Sequence, residues 1–473
     1  MKQSKVNNLL PVVVILLYSL VLAYYTYHNA NWIIGDNNMY ISSVAIGKPF
    51  PISENFRPSD GRFCPLGQQH NNLLLFLSPN GVSAKMLYAR DAIQLMIFPL
   101  LLFLFLQKIL YDNFKPSKMF PWIALCFTIM YVSRIYEKYF LDFTYGGGFS
   151  QFLLLIFIWT GYEFWRSEKL SYFIVNIIAV LYLTYMSEPN FGMFMVYGLT
   201  PLIFSYKLLS STKKVYCYII SLANSLLFLL LYYFLVYRNT ITVYHPTDVE
   251  NMNRVVIFFA MLRSQKMAIL GFIIAFVRFI MLCWKSENLH LFFDSILFAG
   301  CAAFIGNVVL KLPTGHYYLT SIFLMIPAIM YFMILYIREL PTFIISMLLA
   351  LFYTYKVPNQ IKKHHESRLH DFPVAQRLVK MKNAGYRLFV IEPNNIENLD
   401  KWDIIWAEYQ YLILQNMMRL DMRDVDFRID RITQCEDIKN LEDSTCVIWS
   451  TYYGAPKNDC NAKETFANIN IYY

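Results

Sequence analysis

Residues 215–237 read VYCYIISLANSLLFLLLYYFLVY, with no Asp, Glu, Lys or Arg among them. A helix rises 1.5 Å per residue, so roughly 20 such residues cross the ~30 Å hydrocarbon core of a bilayer. No water reaches backbone N–H and C=O groups there, and a helix satisfies them internally. The rest of the chain repeats the pattern. Apolar runs fall near 9–28, 91–111, 119–135, 148–165, 170–186, 190–209, 215–237, 267–284, 291–310, 315–337 and 341–355. Some pairs are short or closely spaced, so the reading is about nine to eleven spans. Composition agrees: 57% of the 473 residues are hydrophobic, 15% are charged and the mean hydropathy is +0.39. A soluble globular chain is excluded. The expected fold is mainly α, a polytopic transmembrane helix bundle.

The first run is longer than the apolar core of a signal peptide and no small-x-small cleavage site follows it, so it reads as a retained span. The formal net charge of +9 does not point to nucleic acid, because the basic residues fall mostly in short loops rather than along one face or tail. With every run a true span, Lys2, Lys5, Lys108, Lys115, Lys118, Arg166, Lys169, Lys207, Lys213, Lys214, Lys285 and Arg338 lie on one side. Short loops rich in Lys and Arg stay cytoplasmic, so this side and the N-terminus are expected in the cytoplasm. The opposite side receives the first loop, 29–90, the segment 136–147, the "SEPN" turn, the loop 238–266, the "KLPTGHYY" turn and the tail. Most acids and histidines outside the tail gather there: Asp36, Glu54, Asp60, His70, Glu137, Asp142, Glu188, His245, Asp248, Glu250 and His316. Singly, each fits a long solvated loop. Together they resemble the lining of an outward-facing cavity.

Two domains are expected, a transmembrane body over 1–355 and an external α/β domain over 356–473. "DFPVAQRLVKMKNAG" reads as a helix with Asp371 as N-cap and Gly385 as its stop. "KWDIIWAEYQYLILQNMMR" reads as a second helix, and "YRLFVIEP" and "TCVIWSTYY" as strands. No internal repeat is visible. The eight cysteines contain no C-x-x-C pair or zinc spacing, and spacing leaves any pairing of Cys435, Cys446 and Cys460 open.

The first loop is too long for a mere connector. It carries "GDNNMYISSVAIGKPF" and "RPSDGRFCPLGQQHNNLLLF", in which Gly-rich punctuation beside apolar segments argues for folded pieces at the membrane surface. Asp36 follows the first span, Arg62 sits in "DGRF", Glu188 in "SEP" and His316 in "GHYYL". With the multi-span body and external tail, these features resemble the GT-C glycosyltransferases that use polyprenyl-phosphate sugars. Within that superfamily the chain looks most like the serotype-converting O-antigen glucosyltransferases of phage and prophage type. The likeness covers most of the chain as architecture. At residue level it departs where many family members pair two acids, since Asn37 follows Asp36 here. No cofactor is assigned, and a divalent metal gains no support.

The resemblance implies transfer of a sugar, glucose by family, from a polyprenyl-phosphate donor to a lipid-linked O-antigen or surface-polysaccharide acceptor, with inversion. It implies a bacterial inner membrane location with the tail in the periplasm, and partners that synthesise and flip the donor. The acceptor hydroxyl needs a positioned base, worth typically 10²–10⁴-fold. The leaving phosphate wants Arg, Lys or His donors near the interface. Asp36 is the expected base, the alternative being a cap on the segment after it. Glu188 is the second acid, in what is also an ordinary turn. A charge so near hydrocarbon is costly unless it faces water or a partner. Arg62, Lys311 and His316 are the expected phosphate ligands. Asp60 could pair with Arg62 instead, and snorkelling explains much of the Lys311 segment without a substrate. Asp60, His70, Glu137 and His245 are secondary candidates. Two other functions stay open. A lipid-linked oligosaccharide flippase would use ionisable residues inside spans, where Arg278 and Asp294 are the main examples. An O-antigen polymerase or ligase usually carries its large loop later in the chain.

Overall fold

The computed structural model describes residues 43–113, 147–204, 213–241, 253–284, 288–312 and 315–336, part of 19–28, and in the tail 377, 380, 381, 384–391, 428–430, 445–450, 464–466 and 469–472. The described residues form the helices α1 (Ala84–Asn113), α2 (Gly147–Ser167), α3 (Leu170–Met186), α4 (Asn190–Phe204), α5 (Tyr216–Leu235), α6 (Arg254–Ser264), α7 (Lys266–Cys283), α8 (Leu291–Val309) and α9 (Leu319–Tyr336). Five helical stretches are long and apolar enough to cross a membrane: Lys85–Asn113, Tyr216–Asn239, Lys266–Cys283, Leu291–Val309 and Leu319–Tyr336. By these helices the chain is a helical membrane protein. α3 and α4 are shorter apolar helices. Eight of the expected runs meet a helix. The runs 119–135 and 341–355 lie outside the described residues, as does most of 9–28.

The segment 238–266, expected as loop, contains α6. Asn253 caps it, its side chain accepting the Val255 N–H at 2.9 Å. Eleven residues are too few to span, so a search for long runs passes over it.

The chain divides into two compact units. The first comprises Met1–His28, Pro51–His70 and Leu87–Pro358. At its centre α8 and α9 are buried along most of their length. α8 packs on α9 and α4, α4 on α5, and α2 on α3. Lipid is as apolar as leucine, so close packing and hydrogen bonds between helices hold such a bundle. At Gly198 on α4, an added Cβ would stand 2.6 Å from the Tyr218 carbonyl oxygen of α5, a distance only glycine allows. Asn176 Nδ2 donates to the Phe157 carbonyl at 2.8 Å, and Asn224 Nδ2 to Thr184 Oγ1 at 2.7 Å.

The ends of this bundle differ. At one, Lys108 pairs with Glu163, and Arg166 with Asp112 at 2.6 Å, joining the C-terminal ends of α1 and α2. Arg278 and Asp294, the expected intramembrane charges, are both fully buried and bound to one another through Nε–Oδ1 and Nη2–Oδ2 contacts of 2.8 Å each. Arg278 also donates to Tyr336 Oη and the Asn288 carbonyl, and its guanidinium lies 4.7 Å from the Phe332 ring centroid. The His290 N–H donates to Asp294 Oδ2. The pair is thus satisfied on every side by protein, as a structural ion pair requires.

The second unit comprises Asn29–Phe50, Asn71–Met86 and Asn359–Tyr473. Its described loop residues are folded: the Val82 N–H donates to the Val44 carbonyl at 2.8 Å, and the Phe50 N–H to Asn72 Oδ1 at 2.6 Å. In the tail, β3 (Arg387–Ile391), β4 (Arg428–Asp430), β5 (Thr445–Ser450), β6 (Glu464–Phe466) and β7 (Ile469–Tyr472) form one sheet in the order β4-β3-β5-β7-β6. β3 runs parallel to β4 and β5, while β7 is antiparallel to β5 and β6. β3 and β5 are the two expected strands. Helical residues 377, 380 and 381 precede Gly385, whose φ of +90° ends the helix where the sequence places its stop. Arg377 holds Glu464 of β6 through Nε contacts of 2.8 and 2.9 Å. The second expected helix lies outside the described residues.

Candidate functional site

The stretch Phe56 to Phe63 builds the centre of the candidate site. Pro58 opens a 3-10 turn, Pro58–Asp60, and Gly61 closes it in the left-handed region at φ +77°. This reversal makes β1 (Phe56–Arg57) and β2 (Arg62–Phe63) an antiparallel hairpin in which Arg57 stands opposite Arg62, and Phe56 opposite Phe63. The tip is bound to the end of α5: Tyr232 Oη donates to the Gly61 carbonyl at 3.1 Å, Thr240 Oγ1 to the Pro58 carbonyl at 3.2 Å, and the Ile241 N–H to the Ser59 carbonyl at 3.0 Å. Phe63 is buried among the rings of Phe56, Tyr185, Phe228 and Tyr232, with centroids 5.2–6.4 Å away.

The hairpin also grips the "SEPN" turn. The Phe63 N–H donates to Glu188 Oε1 at 3.0 Å, and the Leu66 N–H donates to the Tyr185 carbonyl at 3.0 Å. Two expected site segments, 125 residues apart, therefore meet. Arg62 and Glu188 are both partly buried. Asp60 pairs with Arg57 at 3.5 Å, so the acid expected as the alternative partner of Arg62 turns to the other arginine. Cys64 shows the local field. Burial chiefly pushes its thiol well above the usual range, and the neighbouring Glu188 carboxylate adds to this against the opposing pull of Arg62 and Arg57. At neutral pH it is a thiol, not a nucleophilic thiolate.

Like charges facing across a ladder repel. Asp60 holds Arg57, and the planar guanidinium groups of Arg57 and Arg62 are of a kind that suits phosphate oxygens. Arg57 was not singled out from sequence. Its signal was present in the symmetry of "FRPSDGRF" about a Pro-x-x-Gly turn.

The "KLPTGHYY" turn lies at this same end. Gly306, in the last turn of α8, faces Pro189 of the "SEPN" turn, where an added Cβ would lie 3.9 Å from the proline. Lys311 follows in a left-handed conformation at φ +53°, its N–H bound to the Val308 carbonyl at 3.0 Å. Asn307 Nδ2 donates to the Tyr317 carbonyl and Tyr318 Oη to the Leu312 carbonyl, both at 2.9 Å, which fixes the turn. His316 sits in the 3-10 helix Gly315–Tyr318; its side chain lies outside the description. His70 is buried and stacks on Phe149 at 4.3 Å between centroids. Both ring nitrogens lack hydrogen-bond partners among the described residues, and burial, helped by the Arg90 charge, holds its pKa well below the usual histidine range. The ring of this secondary candidate is therefore neutral and packed on an aromatic neighbour. Asp36, Glu137 and His245 lie outside the described residues.

Among the described residues no three His, Cys, Asp or Glu side chains gather as a metal site would require, so no metal is assigned to them. Compared with known proteins, the chain matches no family model, no curated protein and no solved structure. What the fold and the site define is a class: a helical membrane protein with a charged hairpin bound to one end of its bundle.

Proposed function

We propose that this protein is a membrane glycosyltransferase of GT-C type. It moves a sugar from a polyprenyl-phosphate donor to a lipid-linked O-antigen or surface-polysaccharide acceptor on the periplasmic side of a bacterial inner membrane. One observation carries the reading: a hairpin bearing two opposed arginines is bound, through Phe63 and Glu188, to the end of apolar helices. This supports reading the arginines as phosphate ligands beside a carboxylate near the membrane boundary. In the reaction, the acceptor oxygen bonds to the anomeric carbon as the bond to the phosphate oxygen breaks. The electron pair leaves on the phosphate, and the hydroxyl proton passes to a carboxylate, Asp36, with Glu188 orienting the acceptor. Arg62, Lys311 and His316 stabilise the departing charge. The transport reading gains no such support, because Arg278 and Asp294 satisfy one another.

The test uses the full chain in lipid nanodiscs supplied with polyprenyl-phosphate glucose, alongside mass spectrometry of the surface polysaccharide from cells bearing each variant. Asp36→Asn is expected to lower turnover by about 10²–10⁴-fold. Arg62→Ala is expected to slow donor consumption. Unchanged glycan in a well-expressed Asp36→Asn strain would remove the base, and normal donor turnover by Arg62→Ala would remove the phosphate ligand.

A further inference from the structure

α7 fixes the depth of the segment before it. Its 18 residues rise roughly 27 Å, close to the thickness of the hydrocarbon core. Lys266 begins it, and Trp284, 79% exposed, stands just beyond its end. Lysine and tryptophan are residues that mark the two membrane boundaries. α6 joins α7 through Gln265 alone, whose φ of −114° and ψ of 77° break the helix. α6 therefore lies at headgroup level.

Its inner face is accounted for. Ile257 is buried, Phe258 packs on Phe272 and Phe304, and Arg254 Nε donates to the Val309 carbonyl at 3.1 Å. Its outer face carries Val256 and Phe259, 64% and 62% exposed, and then Arg263 at the same helical spacing. Three residues on, Lys266 heads a second exposed row on α7, Ile269 and Ile273. Arg263 and Lys266 are both exposed, and among the described residues their side chains form no ion pair or hydrogen bond. Residues 254–266 contain no acid.

We infer that the bend between α6 and α7 is a binding site for an anionic phospholipid of the surrounding bilayer. The headgroup phosphate lies between Arg263 and Lys266, one acyl chain runs down Ile269 and Ile273, and Val256 and Phe259 hold α6 in the interfacial plane. Two cations with no partner among the described residues, beside a continuous apolar row, match such a molecule in charge and shape. The inference does not depend on sugar transfer, since neither sugar nor polyprenyl carrier enters its test.

The full chain is reconstituted in nanodiscs of phosphatidylcholine and phosphatidylglycerol, and the lipid retained on release is measured by native mass spectrometry. The wild type is expected to retain phosphatidylglycerol preferentially. Arg263→Gln with Lys266→Gln should lower that preference by about fivefold per cation removed, while Arg263→Lys with Lys266→Arg preserves it. In a separate variant, Phe259→Trp, brominated phosphatidylglycerol should quench the new fluorescence. Equal preference in the glutamine variant and the wild type would overturn the site. So would an unquenched tryptophan, the result expected if another protein covers this face.

Discussion

Replacing Asp294 by Asn separates a structural ion pair from a transport residue. The side chain keeps its shape and loses its charge, leaving Arg278, fully buried, without its counter-ion. Arg278 would retain Tyr336 and the Asn288 carbonyl, so the pocket does not collapse, but neither partner carries a full negative charge. Breaking a buried pair from one side costs roughly 3–5 kcal/mol, or about 10²–10⁴-fold in the folded-to-unfolded ratio. Replacing both members by apolar side chains of similar volume, Arg278→Met with Asp294→Leu, removes the desolvation cost along with the attraction. Its expected effect is near zero or stabilising. The assay is a double-mutant cycle on equilibrium unfolding in mixed micelles, with sugar transfer measured on each protein. The double variant should recover most of the stability lost by Asp294→Asn and keep transfer activity. A double variant as unstable as the single one would refute the account of the pair. A stable double variant without transfer activity would show that these charges serve the reaction rather than structure alone.

Three further outcomes follow from the geometry. Glu188→Gln removes the carboxylate that raises the Cys64 thiol and weakens the Phe63 contact, so maleimide labelling of Cys64 near pH 8 should accelerate; an unchanged rate would mean that Glu188 does not set the field there. His70 has a folded pKa below its unfolded value of about 6.5, so below that pH the unfolded loop takes up a proton that the folded loop refuses. The stability it contributes therefore falls with falling pH, by at most about 1.4 kcal/mol per unit, until the folded pKa is reached. Hydrogen exchange of residues 62–70 at pH 7.5 and pH 5 should show this loss in the wild type but not in His70→Phe. Gly198→Val places side-chain atoms against the backbone of α5 and should destabilise by roughly 1–3 kcal/mol. A thermal midpoint equal to that of wild type would show that α4 and α5 can separate at little cost.

The long helices were legible because each satisfies its own backbone and announces itself by an uninterrupted apolar run. α5 needs nothing beyond residues 215–237 to declare it. α6 was not legible in that way, since its cap at Asn253 and its apolar face make a helix too short to register as a span. The candidate site shows where sequence stops for a different reason. Arg62 stands out by its place in a glycine turn and Glu188 by its nearness to hydrocarbon, and nothing local could join their two segments, whose contact from Phe63 to Glu188 spans 125 residues. Their meeting depends on Phe63, whose ring is drawn among Tyr185, Phe228 and Tyr232 and carries its backbone N–H to the carboxylate. Asp60 makes the same point within a few residues. Arg62, two residues on, was its alternative partner, yet the 3-10 turn brings it to Arg57, three residues earlier, while the left-handed Gly61 directs Arg62 onto the returning strand. Turn geometry, not distance along the chain, decides which arginine pairs with Asp60. A charge-pairing guess in a short loop therefore needs the turn type first, and "PSDG", with proline opening and glycine closing, supplies it.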